Sequence, residues 1–208
     1  IATIIADMIK DGDYIMLDAS STALNVVKAI LHRKKITIIT NSIEILFELC
    51  NKPDWTIIST GGTLKEGGLS LVGHQAERMI SGFHVDIAVC SCKGIDFESG
   101  VTDSNEKDSE MKKAFFASAT NKVLAVDSSK FNKISFVKVC GLSDINTVVT
   151  DSNPGDEWQN RLRESQVELV FEKKLAYTCI TLASKQDKPG VNYTKGKINN
   201  NKVIVNAE

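Results

Sequence analysis

Asp18-Ala19-Ser20-Ser21-Thr22 is a short polar segment between two apolar patterns of different period. The apolar run 14–17 precedes it and an amphipathic run, 23–31, follows it, so we predict a β-strand, a short hydroxyl-rich loop and an α-helix in immediate succession. The first turn of a helix presents unpaired N–H groups and the positive end of the helix dipole, and it therefore attracts anions. Two interpretations remain open. Either residues 20–22 bind a phosphate or carboxylate, or Ser21 or Thr22 only caps the helix.

The same succession of strand and helix repeats over the first 171 residues. The predicted strands are 14–18, 36–40, 56–59, 85–92, 122–126, 137–140, 147–150 and 167–171. The predicted helices are 1–10, 23–31, 43–50, 73–80, 105–120 and 156–165, with a break at 94–96 and a turn at 98–100. This alternation indicates an α/β domain with a mainly parallel sheet and helices on both faces.

Residues 172–208 form a region rich in Lys and Asn that we do not assign to this domain. Within it, 175–182 and 203–205 are candidate strands. Three placements remain open for the region: it packs as an edge hairpin, exchanges with a neighbouring chain, or stays mobile.

Composition excludes several classes of function. A net charge of −1 provides no basic field to hold DNA or RNA by counterion release. No apolar run is long enough to span a bilayer, and the first residues do not resemble a signal peptide. Five cysteines without framework spacing indicate a reducing cytoplasm and mostly buried thiols, and the three histidines show no metal-ligand spacing. Because the histidines lack this spacing, we expect no metal. Neither G-x-x-x-x-G-K-[ST] nor G-x-G-x-x-G is present, so we also expect no nucleotide cofactor.

Polar or glycine residues follow five of the predicted strands, and in a parallel sheet these strand ends meet at one edge, where ligands bind. For a phosphate, Ser20, Ser21 and Thr22 would supply hydroxyl donors and Lys130 a positive charge. For a sugar, the candidate residues are Asn41, which donates and accepts hydrogen bonds, Gly61 and Gly62, which admit close backbone approach, and the acceptors Asp18, Asp96 and Glu106.

Six short motifs, in this order, resemble the sensor domain of DeoR-type bacterial transcriptional regulators. They are Asp-x-Ser-Ser-Thr (18–22), Ile-Ile-Thr-Asn-Ser (38–42), Gly-Gly (61–62), Gly-Ile-Asp with Gly-Val-Thr (94–102), Val-Asp-Ser-Ser-Lys-Phe (126–131) and Val-Val-Thr-Asp (148–151). The resemblance covers residues 1–171. It implies the fold of ribose-5-phosphate isomerase and CoA transferases, a sugar-phosphate effector, a cytoplasmic dimer or tetramer, and no membrane.

The resemblance also implies residue roles. The effector phosphate would lie on Ser20, Ser21, Thr22 and Lys130, and the sugar would contact Asp18, Asn41, Gly61, Gly62, Gly94 and Glu106. Lys93 stands where a small residue is expected. The family binds operator DNA through an N-terminal winged helix-turn-helix, which we expect upstream of Ile1, where the sequence begins in an apparent helix without an initiating methionine.

Two hypotheses of enzyme function compete with the hypothesis of a sensor domain that represses a sugar operon. A sugar-phosphate isomerase would use Glu106 or Asp96 as base and Lys130 to stabilise an enediolate. A CoA transferase would form a thioester on Glu106. However, the isomerases carry Asp-Gly-x-Asp-Glu and Lys-Gly-x-Gly-Gly stretches that this sequence lacks, and Cys90-Ser91-Cys92-Lys93-Gly94 occupies that region. We therefore predict ligand binding without turnover.

Overall fold

The computed structural model describes residues 1–172 and 202–205, and the candidate strand at 175–182 lies outside them. The helices in these residues are α1 (Ala2–Met8), α2 (Ser21–Ile30), α3 (Ile43–Leu49), α4 (His74–Ile80), α5 (Glu106–Ala117) and α6 (Asp156–Glu164). The strands are β1 (Tyr14–Leu17), β2 (Thr37–Thr40), β3 (Thr56–Ser59), β4 (Thr63–Leu64), β5 (Leu71–Val72), β6 (Val85–Cys90), β7 (Gly94–Asp96), β8 (Gly100–Asp103), β9 (Ala119–Ala125), β10 (Val137–Cys140), β11 (Thr147–Thr150), β12 (Glu168–Glu172) and β13 (Lys202–Val205). None of the described helices has the length and apolar character needed to cross a membrane.

Eight strands form the main sheet, in the order β13-β12-β11-β9-β6-β1-β2-β3. Every neighbouring pair is parallel except β12 and β13, which pair antiparallel at the edge. The mainly parallel sheet predicted from the sequence is confirmed. The candidate strand at 203–205 is present as β13, so this part of the Lys/Asn-rich region joins the sheet edge.

Helices cover both faces of the main sheet, as predicted, because successive strand residues point to opposite sides. Ile15 and Leu17 of β1 pack in one core with α1, α2 and α3. Met16, between them, packs in a second core with α4, α5 and α6. The central strands are therefore buried on both faces, which explains their almost continuous apolar sequences.

The predicted break at 94–96 is instead strand β7, which forms a separate antiparallel sheet with β8 and β10 in the order β10-β8-β7. The strand of the main sheet does end before this segment, as predicted, but a new strand at 94–96 was not expected because Gly94 suggests a chain break. Its missing Cβ serves close packing, since a Cβ there would lie 2.3 Å from the carbonyl oxygen of Lys133. Ile95 and Val101 of this small sheet are fully buried in the second core.

Two further differences concern a short hairpin and the end of helix α5. The hairpin of β4 and β5 was not predicted, because strands of two residues carry too little periodicity to detect. The predicted helix 105–120 ends earlier, at Ala117, and the chain continues directly into β9 from Ala119. The carbonyl of Ser118, between them, accepts a hydrogen bond from Val85 N–H at 2.9 Å, which starts the β6–β9 pairing.

Candidate functional site

A cavity of about 440 Å³ opens at the carboxyl ends of β1, β2, β6 and β9. As the sequence predicts, the loops after these strands meet at one edge of the sheet. Other walls come from the β4–β5 hairpin and the first turns of α5. Residues that line the cavity are Asp18, Ser20, Ser21, Thr22, Asn41, Glu44, Lys65, Ser70, Ser91, Cys92, Lys93, Asp103, Ser104, Asp108, Lys112, Asp127 and Lys130, among others.

The loop before α2 supplies free hydrogen-bond donors to this cavity. Ser20 is the N-cap residue: its Oγ accepts from Ala23 N–H at 3.1 Å and donates to Asp18 Oδ1 at 2.5 Å. The capping role thus belongs to Ser20 and not to Ser21 or Thr22. Within the described residues the hydroxyls of Ser21 and Thr22 have no hydrogen-bond partner, and their N–H groups lie in the unpaired first turn.

Asp18 has a structural role that the sequence did not reveal. The side chain is 2% exposed, and besides Ser20 it accepts from Ser91 N–H at 2.9 Å and lies 3.5 Å from Lys112 Nζ. Its carboxylate therefore joins the β1 loop to the β6 loop and to α5. This carboxylate already has three partners inside the protein, so it orients the loop that carries the free hydroxyls.

Lys112, from the second turn of α5, is the centre of a buried charge cluster. Its ammonium contacts Asp103, at the end of β8, and Asp18. Both carboxylates are at most 2% exposed. Burial alone would lower the pKa of Lys112, but the two carboxylates outweigh it and hold that pKa above its ordinary value of 10.5. Lys112 is therefore charged at neutral pH, and its ammonium is shared between two buried acidic side chains.

Three other lysines line the cavity, and they differ in how they are paired. Lys65, next to β4, forms an ion pair of 2.5 Å with Asp108 in the first turn of α5. Burial raises the pKa of Asp108, but hydrogen bonds from Lys65 and Asn105 lower it by more. Lys130 lies 3.8 Å from Asp127, and Lys93 has no ion-pair partner in the described chain. Lys93 and Lys130 are consequently the cations most available to an anionic ligand.

Asn41 follows β2 and has one unsatisfied group. Its Nδ2 donates to the carbonyl of Leu71 at 3.0 Å. Its Oδ1 is buried and has no hydrogen-bond partner among the residues that the structure describes, and the residue as a whole is only 3% exposed. A buried acceptor without a donor is unfavourable by about 1–3 kcal/mol. A ligand hydroxyl or amine in the cavity would supply that donor.

Four of the predicted site residues do not line the cavity. Gly61 and Gly62 form a turn with positive φ, where a Cβ on Gly62 would lie 2.7 Å from the Val72 carbonyl oxygen. Gly94 is packed against Lys133, as described above. Glu106 is exposed at the first residue of α5. Asp96, a candidate base in the isomerase reading, likewise lies away from the cavity, where its carboxylate accepts from the N–H groups of a β-turn.

Five charged residues of the cavity were missed in the sequence: Glu44, Lys65, Asp103, Asp108 and Lys112. One signal was available. Lys112 follows the buried Met111 and precedes the buried Phe115 on the apolar side of α5, and a charge in that position suggests a buried partner. For the others the sequence offered no comparable signal, since their role depends on elements far apart in the chain.

The thiols near the site are unreactive in character. Cys90 and Cys92 are buried, and burial raises the pKa of both, that of Cys92 to about 12. Cys140 is half-buried and Cys50 is exposed, so the prediction of mostly buried thiols fails for Cys50. No group of three or more metal-binding side chains occurs in residues 1–172 in a geometry that could hold a metal ion.

Comparisons with known proteins identify the family of this chain. The family model described as the DeoR C-terminal sensor domain matches residues 1–152. The HTH-type transcriptional regulator YulB of Bacillus subtilis is 37% identical over 86% of this chain and 66% of its own length. The L-fucose operon activator of Haemophilus influenzae is 30% identical over 79% of this chain and 66% of its own length. The chain thus spans about two thirds of the length of these relatives.

Two solved structures are similar in fold. RipA from Yersinia pestis aligns with a TM-score of 0.51 and 15% identity over 79% of this chain and 47% of RipA. Ribose 5-phosphate isomerase A from Methanocaldococcus jannaschii aligns with a TM-score of 0.45 and 18% identity over 62% of this chain and 51% of the isomerase. At such identities the likeness concerns the fold alone. The sequence relatives are transcriptional regulators and not enzymes, and the chain belongs to the family of DeoR C-terminal sensor domains.

Proposed function

We propose that this domain binds a phosphorylated sugar or sugar derivative in the cavity, and that binding changes how an attached DNA-binding domain engages its operator. The observation that carries the proposal is the set of unused polar groups in the cavity. Ser21 and Thr22 offer free hydroxyls at the positive end of α2, with Lys93 and Lys130 as cations. Asn41 offers a buried acceptor that has no donor among the described residues.

The size and lining of the cavity support the same ligand class. A volume of about 440 Å³ lies within the range of about 300–1,000 Å³ that is typical of small-molecule sites. A sugar phosphate carries one dianionic group and several hydroxyls. It can therefore place its phosphate on the α2 terminus and still present donors to Asn41, which neither inorganic phosphate nor an unphosphorylated sugar does alone.

Turnover is not supported. The residues that an isomerase or CoA transferase would use as base or nucleophile, Glu106 and Asp96, lie outside the cavity. The matched relatives are regulators. We therefore propose a sensor whose effector binds two conformational states with different affinity, which is the requirement for any coupling to DNA.

The proposal extends to the rest of the regulator. Operator DNA would contact a winged helix-turn-helix outside these 208 residues, because this domain has a net charge of −1 and offers no basic field. We propose that the protein is a cytoplasmic homo-oligomer, a dimer or tetramer, that represses a sugar operon. Such symmetry would match paired operator half-sites.

The test is a thermal-shift screen with ribose 5-phosphate, fructose 6-phosphate, glucose 6-phosphate and glucosamine 6-phosphate, each beside its unphosphorylated parent and inorganic phosphate. We expect a sugar phosphate to stabilise the protein by about 2.7 kcal/mol at 100 times its Kd. A turnover assay on any ligand found should show no conversion. Conversion at an enzyme's rate would refute the sensor proposal, and so would the absence of any shift across a broad panel of phosphorylated sugars.

The double variant Ser21→Ala, Thr22→Ala tests the phosphate position. It removes both free hydroxyls and leaves the Ser20 cap intact, so we expect the fold to persist and the ligand-induced shift to disappear. Thr3→Ala is the matched control, because Thr3 is exposed at the second residue of α1, the helix position that Thr22 occupies in α2. An unchanged ligand response in the double variant would show that these hydroxyls do not contact the phosphate.

A further inference from the structure

The hairpin of β4 and β5, residues 63–72, forms one wall of the cavity while lying outside the main sheet. Its two strands pair over only two positions, Thr63 with Val72 and Leu64 with Leu71. Its turn residues 65 and 68–70 face the cavity. Isolated hairpins of this length are marginally stable in water. Val72 anchors the end of the hairpin in the second core, where it is 2% exposed, and the contacts at the two sides determine where the rest of the hairpin lies.

On one side, the hairpin is joined to the segment that starts α3. Asn41 makes two hydrogen bonds with Leu71: its carbonyl accepts from Leu71 N–H at 2.8 Å, and its Nδ2 donates to the Leu71 carbonyl at 3.0 Å. Ile43 N–H donates to the Leu69 carbonyl at 2.9 Å. Three hydrogen bonds thus hold the second strand of the hairpin at this side of the cavity.

On the other side, the hairpin reaches α5 through the ion pair between Lys65 and Asp108. Both side chains are partly exposed, at 30% and 22%, so this contact is weaker than a buried pair. The hairpin therefore crosses the cavity from α3 to α5, with a firm attachment at Asn41 and a loose one at Lys65.

Asn41 connects this attachment to the ligand. The same amide that donates to Leu71 through Nδ2 carries the buried, unpaired Oδ1. When a ligand hydroxyl or amine donates to Oδ1, the amide is fixed in the orientation that binds Leu71, because rotation would break both hydrogen bonds at once. Occupancy of the cavity and attachment of the hairpin thus favour each other.

We propose that the hairpin 63–72 is a strap that tightens over the bound effector, with Asn41 as the residue that couples a ligand hydroxyl or amine to it. The proposal rests on the proposed function and adds the requirement that the effector carry a hydrogen-bond donor opposite its phosphate.

The strap also has a face on the outer surface of the protein. Leu64 and Leu69 are 57% and 54% exposed, and Leu69 also lines an apolar groove with Phe47 and Leu24 on the surface. Tightening of the strap therefore changes the shape of that groove.

Hydrogen–deuterium exchange of the hairpin amides tests the strap. The probe is the sugar phosphate with the largest thermal shift in the panel, compared with inorganic phosphate at equal saturation. We expect the sugar phosphate to slow exchange in peptides covering 63–72 by at least tenfold more than in α6, which lies away from the cavity. Inorganic phosphate should not produce this difference, because it cannot reach both the α2 terminus and Asn41.

Two variants test the attachments of the strap at Asn41 and at Lys65 separately. Asn41→Asp retains an oxygen acceptor for the ligand but replaces the Nδ2 donor, so a bound sugar phosphate should no longer protect the hairpin. Lys65→Met removes the loose attachment and should raise hairpin exchange in the ligand-free protein by about threefold, the range of a partly exposed ion pair. Lys107→Met is the matched control for Lys65→Met, because Lys107 is an exposed lysine on α5 that does not line the cavity.

The outcomes distinguish this inference from the proposed function. If no phosphorylated sugar shifts the melting temperature, the proposed function fails and the strap fails with it. If a sugar phosphate stabilises the protein but protects hairpin and α6 equally, or protects the Asn41→Asp hairpin as well as the wild-type one, only the strap is refuted. Equal hairpin protection by inorganic phosphate also refutes it, because Asn41 would then have no part in the response.

Discussion

Replacement of Lys112 by methionine tests whether the buried charge cluster holds the site together. Methionine has a similar length and no charge, so the substitution leaves the carboxylates of Asp18 and Asp103 buried without their cation. Removal of one partner from a buried ion pair costs about 3–5 kcal/mol, because the remaining charge is uncompensated. We expect a loss at the upper end of that range, since two carboxylates lose the same partner.

Urea unfolding followed by circular dichroism measures this loss. With a denaturant dependence of about 2 kcal/mol per molar urea, a loss of about 5 kcal/mol lowers the midpoint by about 2.5 M. Lys113→Met is the matched control on the next residue. Lys113 pairs with Glu110 on the surface, both side chains being about 40% exposed, and such exposed pairs contribute about 0.3–0.5 kcal/mol. Equal midpoints for the two variants would refute the assignment of Lys112 as the centre of a buried cluster.

A second substitution and a pH series sharpen the test. Asp103→Asn in the Lys112→Met background removes one of the uncompensated charges, so it should restore part of the lost stability.

The pKa of Lys112 is raised in the folded state, so the contribution of Lys112 to stability is fully present below its ordinary pKa of 10.5 and is lost as the pH rises beyond it. The stability difference between wild type and Lys112→Met should therefore be constant from neutral pH to about pH 10 and shrink in more alkaline solution.

Two further predictions concern packing and thiol chemistry. Gly94→Ala would place a Cβ 2.3 Å from the Lys133 carbonyl oxygen. It should therefore cost about 1–3 kcal/mol of unfolding free energy in the same urea assay, whereas a loss below 0.5 kcal/mol would mean that the neighbouring loop moves freely. Iodoacetamide at pH 8 should alkylate the exposed Cys50 in minutes and leave Cys90 and Cys92 unmodified in the native protein, because burial raises the pKa of both. Peptide mass spectrometry identifies the modified cysteines. Rapid modification of Cys92, which lines the cavity, would show that iodoacetamide reaches its thiol.

Most of the fold was predictable because it depends on local patterns. Apolar runs of four to six residues, each followed by polar residues and a helical stripe, place β1, β2, β6 and β9 with errors of a few residues. The small sheet was missed at β7 for a physical reason. Glycine in a strand marks close approach of another backbone as often as a chain break, and only the position of Lys133 distinguishes the two.

The candidate site was predictable to the level of its loops but not of its individual side chains. The parallel sheet brings the strand-end loops together, and this placed Ser21, Thr22, Asn41 and Lys130 at the cavity. Glu106 was misplaced because one residue at a helix start changes the direction of a side chain by about 100°. Lys112 was missed because its partners come from β1 and β8, which are distant in the sequence.

The polar groups that remain available to a ligand are those that form no hydrogen bond within the protein. In the sequence, Ser20, Ser21 and Thr22 are all candidates to bind the phosphate, and Asp18 is a candidate to accept from the sugar. In the structure, Ser20 caps α2 and donates to Asp18, and Asp18 also accepts from Ser91 and faces Lys112. This internal pairing rigidly positions the loop and removes two of the four candidates. It leaves the hydroxyls of Ser21 and Thr22 as the groups that an anion would meet, so the sites to mutate follow from which internal hydrogen bonds are made.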